Sequence, residues 1–231
     1  MAKKLSIIIP QYAETLEQLT PVFSSLNNQV GVNWSEIECI LVNDANPDTV
    51  PSDEWLKIWN NLNVRTIVMK ENAGPGVARQ VGIDSALGEY VMFIDADDVL
   101  HSVAVIGVFI DAINRTHSDL IYTSWLEEVR NSDGNMRYIP HEDEQTWMFG
   151  KCYNRRWLNN AEIRMRDDLR VHEDSYFNAL AFNLCGAIEK IPVTSYVWQF
   201  NKESTVRRNK GEYRFNSAVE FVKAHTYAFK R

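Results

Sequence analysis

Short apolar runs alternate with segments of helical spacing through the first 130 residues, and the runs end on polar groups. LSIIIP (5–10) is continuous and β-branched, as strands buried on both faces are. ETLEQLTPVFSSLNNQ then sets Leu16, Leu19, Val22, Phe23 and Leu26 on one helical face. The pattern continues with IECILVND (37–44), a capped helical stretch SDEWLKIWNNL (52–62), and NVRTIVMK (63–70). After it come a helical stretch at 77–87 closed by Gly88, EYVMFIDADD (89–98), a helical stretch at 103–114, and DLIYTSWLEEV (119–129). Strand and helix in turn at this spacing predict parallel βαβ units and an α/β sheet. In such sheets ligands bind beyond the carboxyl ends of the strands. Pro10-Gln11-Tyr12, Asn43-Asp44, Asn72 to Gly76 and Asp95 to Asp98 all stand at those ends. Beyond residue 130 the alternation loosens: 131–145 reads as an excursive loop, 173–184 as a helix and 193–200 as a short strand.

The totals narrow what such a sheet can serve. At 231 residues the chain can form one large domain or two small ones, and it is long enough to bury a substantial core. No apolar run nears the roughly 20 residues needed to span a bilayer. The start, MAKKLSIIIPQY, offers a short apolar run broken at Pro10, so it reads as a first strand and not as a signal peptide. Cys39, Cys152 and Cys185 are scattered, with neither disulfide nor metal spacing, which points to a reducing cytoplasm. Charge is divided unevenly. Residues 1–149 hold 9 Lys+Arg against 22 Asp+Glu, and residues 150–231 hold 15 against 9, so nets of −13 and +6 make up the −7 of the whole. This predicts two surfaces with different partners, unless the two parts merely neutralise one another.

Four groups could carry chemistry. Asp95 and Asp97, at a strand end, suit a hard divalent cation; the same letters also serve to cap a following helix at Asp97 or Asp98. Asp44 could accept from a nucleobase or ribose, or close an Asx turn in VNDANPD. In ENAGPGVARQ, Gly74 and Gly76 permit backbone shapes other residues avoid, and Arg79 could reach a diphosphate; a tight turn and a surface arginine explain the same stretch. Neither a P-loop nor a G-x-G-x-x-G fingerprint is present. Glu173 and Asp174 open a helix, where a carboxylate could act as general base or simply favour the helix N-terminus. Arg155, Arg156, Arg164, Arg166 and Arg170, then Arg207, Arg208, Lys210 and Arg214, could meet phosphate or form ordinary solvated faces.

Five stretches in order, IIIPQYAE, ILVNDAN, ENAGPGVARQVGIDSALGEYVMFIDADD, HEDSYFNALAF and YVWQFNKESTV, resemble the family-2 glycosyltransferases over most of 5–206. The resemblance implies a GT-A-like fold, with one Rossmann-like, mostly parallel sheet flanked by helices in a single domain over 1–231. Residues 1–115 would be the nucleotide-sugar-binding half and 116–231 a smaller acceptor-binding half. It implies inverting transfer of a hexose or pentose from a nucleotide-diphosphate donor to an acceptor hydroxyl, dependent on Mn²⁺ or Mg²⁺. By that likeness Pro10, Tyr12, Glu14, Asn72 and Gly74 line the donor pocket, with Asp44 on the base and Arg79 near base and diphosphate. Asp95 faces the ribose and joins Asp97 at the metal, for which His172 or His225 is a candidate third ligand. Asp174 is the catalytic base with Glu173 beside it, and Gln199, Ser204 and Thr205 close over the diphosphate or acceptor.

The chain also departs from the family pattern. Asn43-Asp44 stand where Asp-Asp is commoner, Ala45-Asn46 where Gly-Ser is usual, His172 where many relatives have Gly, and Gln199 where an Arg or Tyr-Arg pattern is frequent. The acceptor stays open among a glycan, a lipid-linked glycan, a protein and a hydroxylated DNA base. The basic part favours an anionic acceptor and allows a peripheral membrane contact. Two other classes compete. A sugar-nucleotide-forming nucleotidyltransferase would want a Gly-rich, basic loop where Gln11-Tyr12-Ala13-Glu14 stand. A non-catalytic nucleotide-sugar or nucleic-acid binding module would not need both the acid cluster and Glu173-Asp174.

Overall fold

The β-branched run near the N-terminus becomes an interior strand of a nine-stranded sheet. The structure, a computed structural model, describes residues 2–131, 133–202 and 212–230, with side chains outside 212–216. Its elements are Leu5–Gln11 (β1), Leu16–Asn27 (α1), Ile37–Asn43 (β2), Asp53–Lys57 (α2), Val64–Val68 (β3), Pro75–Ser85 (α3), Tyr90–Phe93 (β4) and Val99–Leu100 (β5). Val105–Thr116 (α4), Leu120–Arg130 (β6), Met136–His141 (β7), Lys151–Asn154 (β8), Arg155–Asn160 (α5), Glu173–Leu184 (α6), Ile188–Trp198 (β9) and Glu212–Phe229 (α7) follow. The sheet order is β3-β2-β1-β4-β8-β6-β9-β5, with β7 added to β6. The first four strands are parallel. β8 runs antiparallel to β4 and β6, while β9 is parallel to β6 and carries β5 antiparallel at the edge.

Side chains leave a strand on alternate faces, so a strand buried on both sides feeds two cores. Ile7, Ile9, Cys39, Leu41 and Met92 join Phe23 of α1 and Phe109 of α4 on one face. Ile8, Ile40, Val42, Val91 and Phe93 join Ala78 of α3, Leu158 of α5 and Phe177 of α6 on the other. Two glycines let these layers close. A Cβ on Gly82 would collide with the Ile8 side chain, and one on Gly88 would lie 2.5 Å from the Ser6 nitrogen.

Four sequence expectations change. Helix 52–62 stops at Lys57, because Asn61 turns away to donate to the Asn27 side chain and carbonyl at 3.0 and 2.8 Å. The loop expected at 131–145 contains β7, a polar strand of mostly exposed residues that pairs with β6 across a turn at Gly134. The strand expected through Asp98 ends at Phe93; β5 follows the acids and α4 begins only at Val105 with Ala104 as its N-cap, so neither Asp97 nor Asp98 caps a helix. The strand near 193–200 starts at Ile188 and runs the length of β6.

Candidate active site

The carboxyl ends of β1, β2 and β4 meet the N-terminus of α6. On β1, Pro10 is buried and Tyr12 is exposed just beyond the strand. The Tyr12 N–H donates to Glu14 Oε2 at 2.8 Å, and Asn43 links Gln11 Oε1 (3.0 Å) to Thr49 Oγ1 (3.1 Å). On β2, Asp44 is buried, and its two carboxylate oxygens accept from the Ala73 and Gly74 N–H groups, each at 2.8 Å. Asp44 thereby moulds the Asn72–Gly74 turn, where Gly74 takes φ +93°, a conformation that suits glycine. Arg170 reaches the outer side of the turn, donating to Asn72 Oδ1 at 3.1 Å and to its carbonyl at 3.4 Å.

Arg79 ties the two halves of the chain together. It is buried on α3, where Nη2 donates to Asp95 Oδ1 at 2.7 Å and Nη1 to Glu173 Oε1 at 2.8 Å. Its Nε is buried without a partner among the described residues. With both terminal nitrogens on carboxylates, Arg79 works from within the cluster, and Arg170 is the arginine exposed beside the turn. Burial alone would weaken the charge of Arg79; Asp95 and Glu173 overcome it and hold the guanidinium protonated.

One guanidinium serves three acids here. Burial and the neighbouring Asp174 push Glu173 up to about 7, against the opposing pull of Arg79. Asp174, half-buried on the first turn of α6, is also raised by burial, with Arg79 opposing, and its Oδ1 accepts from the Ser175 N–H at 2.7 Å. A carboxylate raised in this way is a better proton acceptor than a solvated one. The residue before the pair, His172, adopts left-handed φ +61° at the helix N-cap. L-residues resist this backbone shape by roughly 1–2 kcal/mol, whereas glycine adopts it freely. Here His172 Nε2 lies 2.6 Å from Ser217 Oγ of α7, and its ring packs edge-on against Phe221.

The acid turn has a division of labour. Asp98 is buried and accepts from the Tyr196 hydroxyl at 2.6 Å and the Gln199 N–H at 2.8 Å. The same hydroxyl accepts from the Asp95 N–H at 3.1 Å. Asp95 and Asp97 are part-exposed, and Asp97 Oδ2 accepts from Asn201 Nδ2 at 2.8 Å. Among the described residues no three His, Cys, Asp or Glu side chains form an ion-holding group. His172 and His225 do not join Asp97 as a third ligand. They lie on the α6–α7 seam, His225 with Nδ1 at 2.8 Å from the Phe221 carbonyl. Ser204 and Thr205 lie outside the described residues. Gln199 is at the turn, though through its backbone. Tyr196 and Asn201 carry no local signal of a role here, and Arg170 stands in the sequence only as one of a basic series; the partners of all three lie about a hundred residues away.

A sheet of this order, with an acid turn and a buried Arg-Glu-Asp cluster at its strand ends, defines a GT-A-type nucleotide-sugar fold. The Glycosyl transferase family 2 profile matches residues 6–183, and the chain belongs to that family. It is 25% identical over 228 residues to the uncharacterized glycosyltransferase EpsJ of Bacillus subtilis, covering 88% of this chain and 63% of EpsJ. It is 26% identical over 219 residues to the poly(ribitol-phosphate) beta-N-acetylglucosaminyltransferase TarS of Staphylococcus aureus, covering 87% of this chain and 36% of TarS. The chain thus spans less than two thirds of these relatives. Among solved structures it superposes on TarS with UDP at TM-score 0.67 and 22% identity, over 87% of this chain and 61% of that one. On the mannosyltransferase PcManGT of Pyrobaculum calidifontis, in complex with GDP-Man and Mn²⁺, the TM-score is 0.71 at 16% identity, over 100% of this chain and 65% of that one. At these identities the likeness is one of fold. No described helix is long and apolar enough to cross a membrane.

Proposed function

We propose that the chain transfers a sugar, with inversion, from a nucleoside-diphosphate donor to an acceptor hydroxyl. The observation that carries this reading is the Arg79 bridge from Asp95 to Glu173, because it fixes the N-terminus of α6, and Asp174 with it, against the acid turn. Asp174 Oδ takes the proton of the acceptor hydroxyl as that oxygen attacks the anomeric carbon and the bond to the diphosphate breaks. Glu173 and Arg79 position Asp174 and do not touch the reacting atoms. Pro10, Tyr12, Glu14, Asn72 and Gly74 border the donor, Asp44 shapes the turn beneath it, and Arg170 offers charge to its phosphates. Gln199 closes the far side.

The acid turn fits a divalent cation. Mg²⁺ takes one or two protein carboxylates and shares the rest with substrate phosphates and water. Asp97, with Asp95 beside it, offers this set. Burial first, and then the charges of Asp97 and Asp95, raise both Glu14 and Asp98, so the turn holds negative charge that a cation would offset. When bound, the ion would neutralise charge on the departing diphosphate. The Mn²⁺ in the PcManGT structure agrees with this choice.

The test is nucleotide release from a panel of UDP- and GDP-sugars with Mn²⁺, with EDTA as the control. The expected result is metal-dependent release from one donor class, with transfer lost in Asp174→Asn while donor binding survives. A general base contributes about 10²–10⁴-fold. Undiminished transfer by Asp174→Asn would refute its role.

A further inference from the structure

The segment entering β8 ties an aromatic residue to two elements of this site. Glu144 accepts from the Thr146 and Trp147 N–H groups at 2.5 and 2.9 Å. The Trp147 carbonyl accepts from Lys151 Nζ at 2.6 Å and Asn178 Nδ2 at 3.1 Å. Asn178 lies four residues beyond Asp174 on α6, one helical turn. On its other flank the Trp147 indole stacks on Phe149 at 5.8 Å between centroids, 8° from parallel, and Phe149 stacks on Tyr196 at 4.7 Å. Tyr196 is the residue whose hydroxyl joins Asp95 to Asp98. Trp147 is therefore fixed from two directions, by the helix of the proposed base and by the acid turn. Trp198 packs against it at 5.4 Å. Yet Trp147 stays part-exposed, unlike the buried Phe149 and Tyr196.

We propose that Trp147, backed by Phe149 and Trp198, is the stacking platform for a pyranose ring of an uncharged acceptor glycan; this rests on the transferase reading above. A flat indole offers apolar area at little conformational cost, and the C–H face of a pyranose matches it. The charges beside it disfavour a polyanion. Lys151 is buried and spent on main-chain carbonyls, and Lys190 is spent on Asp143 at 2.6 Å. Glu142, Asp143 and Glu144 lead directly into the platform. A phosphodiester acceptor would meet those acids and, among the described residues, find Lys151 and Lys190 engaged, so the anionic acceptor suggested by the basic second part of the chain is not the one this site favours.

The experiment measures nucleotide release with the preferred donor and Mn²⁺, adding cellotriose, maltotriose, chitotriose or xylotriose, and separately a single-stranded oligonucleotide and a glycerol-phosphate oligomer. The expected result is stimulation by a neutral saccharide, an acceptor KM raised about tenfold in Trp147→Ala, and a smaller rise in Trp147→Phe, which keeps an aromatic face. Stimulation by the oligonucleotide or the glycerol-phosphate oligomer alone overturns the inference. So does an unmoved saccharide KM in Trp147→Ala, or equal loss in the alanine and phenylalanine variants, which would mark a merely structural residue. Release of nucleotide that no saccharide stimulates overturns this inference alone. Absence of release from every donor by the wild-type protein overturns the transferase reading and this inference with it.

Discussion

Arg79→Met tests the cluster on which the site is built. The substitution keeps an unbranched apolar stem in α3 and removes the guanidinium that Asp95 and Glu173 share at 2.7 and 2.8 Å. Breaking a buried pair by deleting one partner costs about 3–5 kcal/mol, because the remaining charge is left uncompensated. The loss depends on pH, and its sign follows from Glu173. Its folded value of about 7 lies above the ordinary 4.5. Stability linked to it is thus fully present below 4.5 and is lost as pH rises through about 7. Without Arg79 the folded value climbs further, at about 1.4 kcal/mol per unit, so the loss continues to higher pH. Arg79→Met should therefore lie close to the wild type in urea midpoint at about pH 5 and fall furthest behind at about pH 8.5. Intrinsic fluorescence reads both midpoints. Variant and wild type differing by under ~0.5 kcal/mol at both pH values would show that the cluster needs no cation, and the reasoning would fail.

Two further substitutions probe separate contacts. Arg170→Ala should raise the donor KM about tenfold with little change in kcat, since charge-assisted bonds to phosphate contribute in the ground state as well; an unmoved KM would remove Arg170 from the donor site. Gly82→Ala forces a methyl into Ile8, and overpacking of this kind costs about 1–3 kcal/mol. It should lower the thermal midpoint, and an unchanged melt would mean that α3 can shift away from β1.

What was legible in the sequence was legible through periodicity. β1 and β2 fall where continuous apolar runs put them, since both are buried on both faces, and α6 occupies the stretch read as a helix at 173–184. β7 was hidden because its exposed position at the sheet edge is compatible with the polar composition of a loop. The strand-end groups were legible as a set, but their pairings were not. Arg79 and Glu173 are 94 residues apart, and Asp98 and Tyr196 are 98 apart. No local pattern reports that an arginine suited to a diphosphate is already committed to two carboxylates. His172 is the converse case, where a departure from the family pattern pointed at a backbone conformation only the structure explains.

The Tyr196 hydroxyl, between the Asp95 N–H and the Asp98 carboxylate, has a consequence for building hybrids of this family. A residue of β9, about a hundred positions further along the chain, supplies the hydroxyl that holds the acid turn. A chimera joined between α4 and β6 would part Asp98 from its phenol and leave a buried carboxyl group stranded. The cut that respects the chemistry moves residues 94–98 and 188–199 as one cassette, so the natural seam for recombination runs around the acid turn and not between the two halves of the chain.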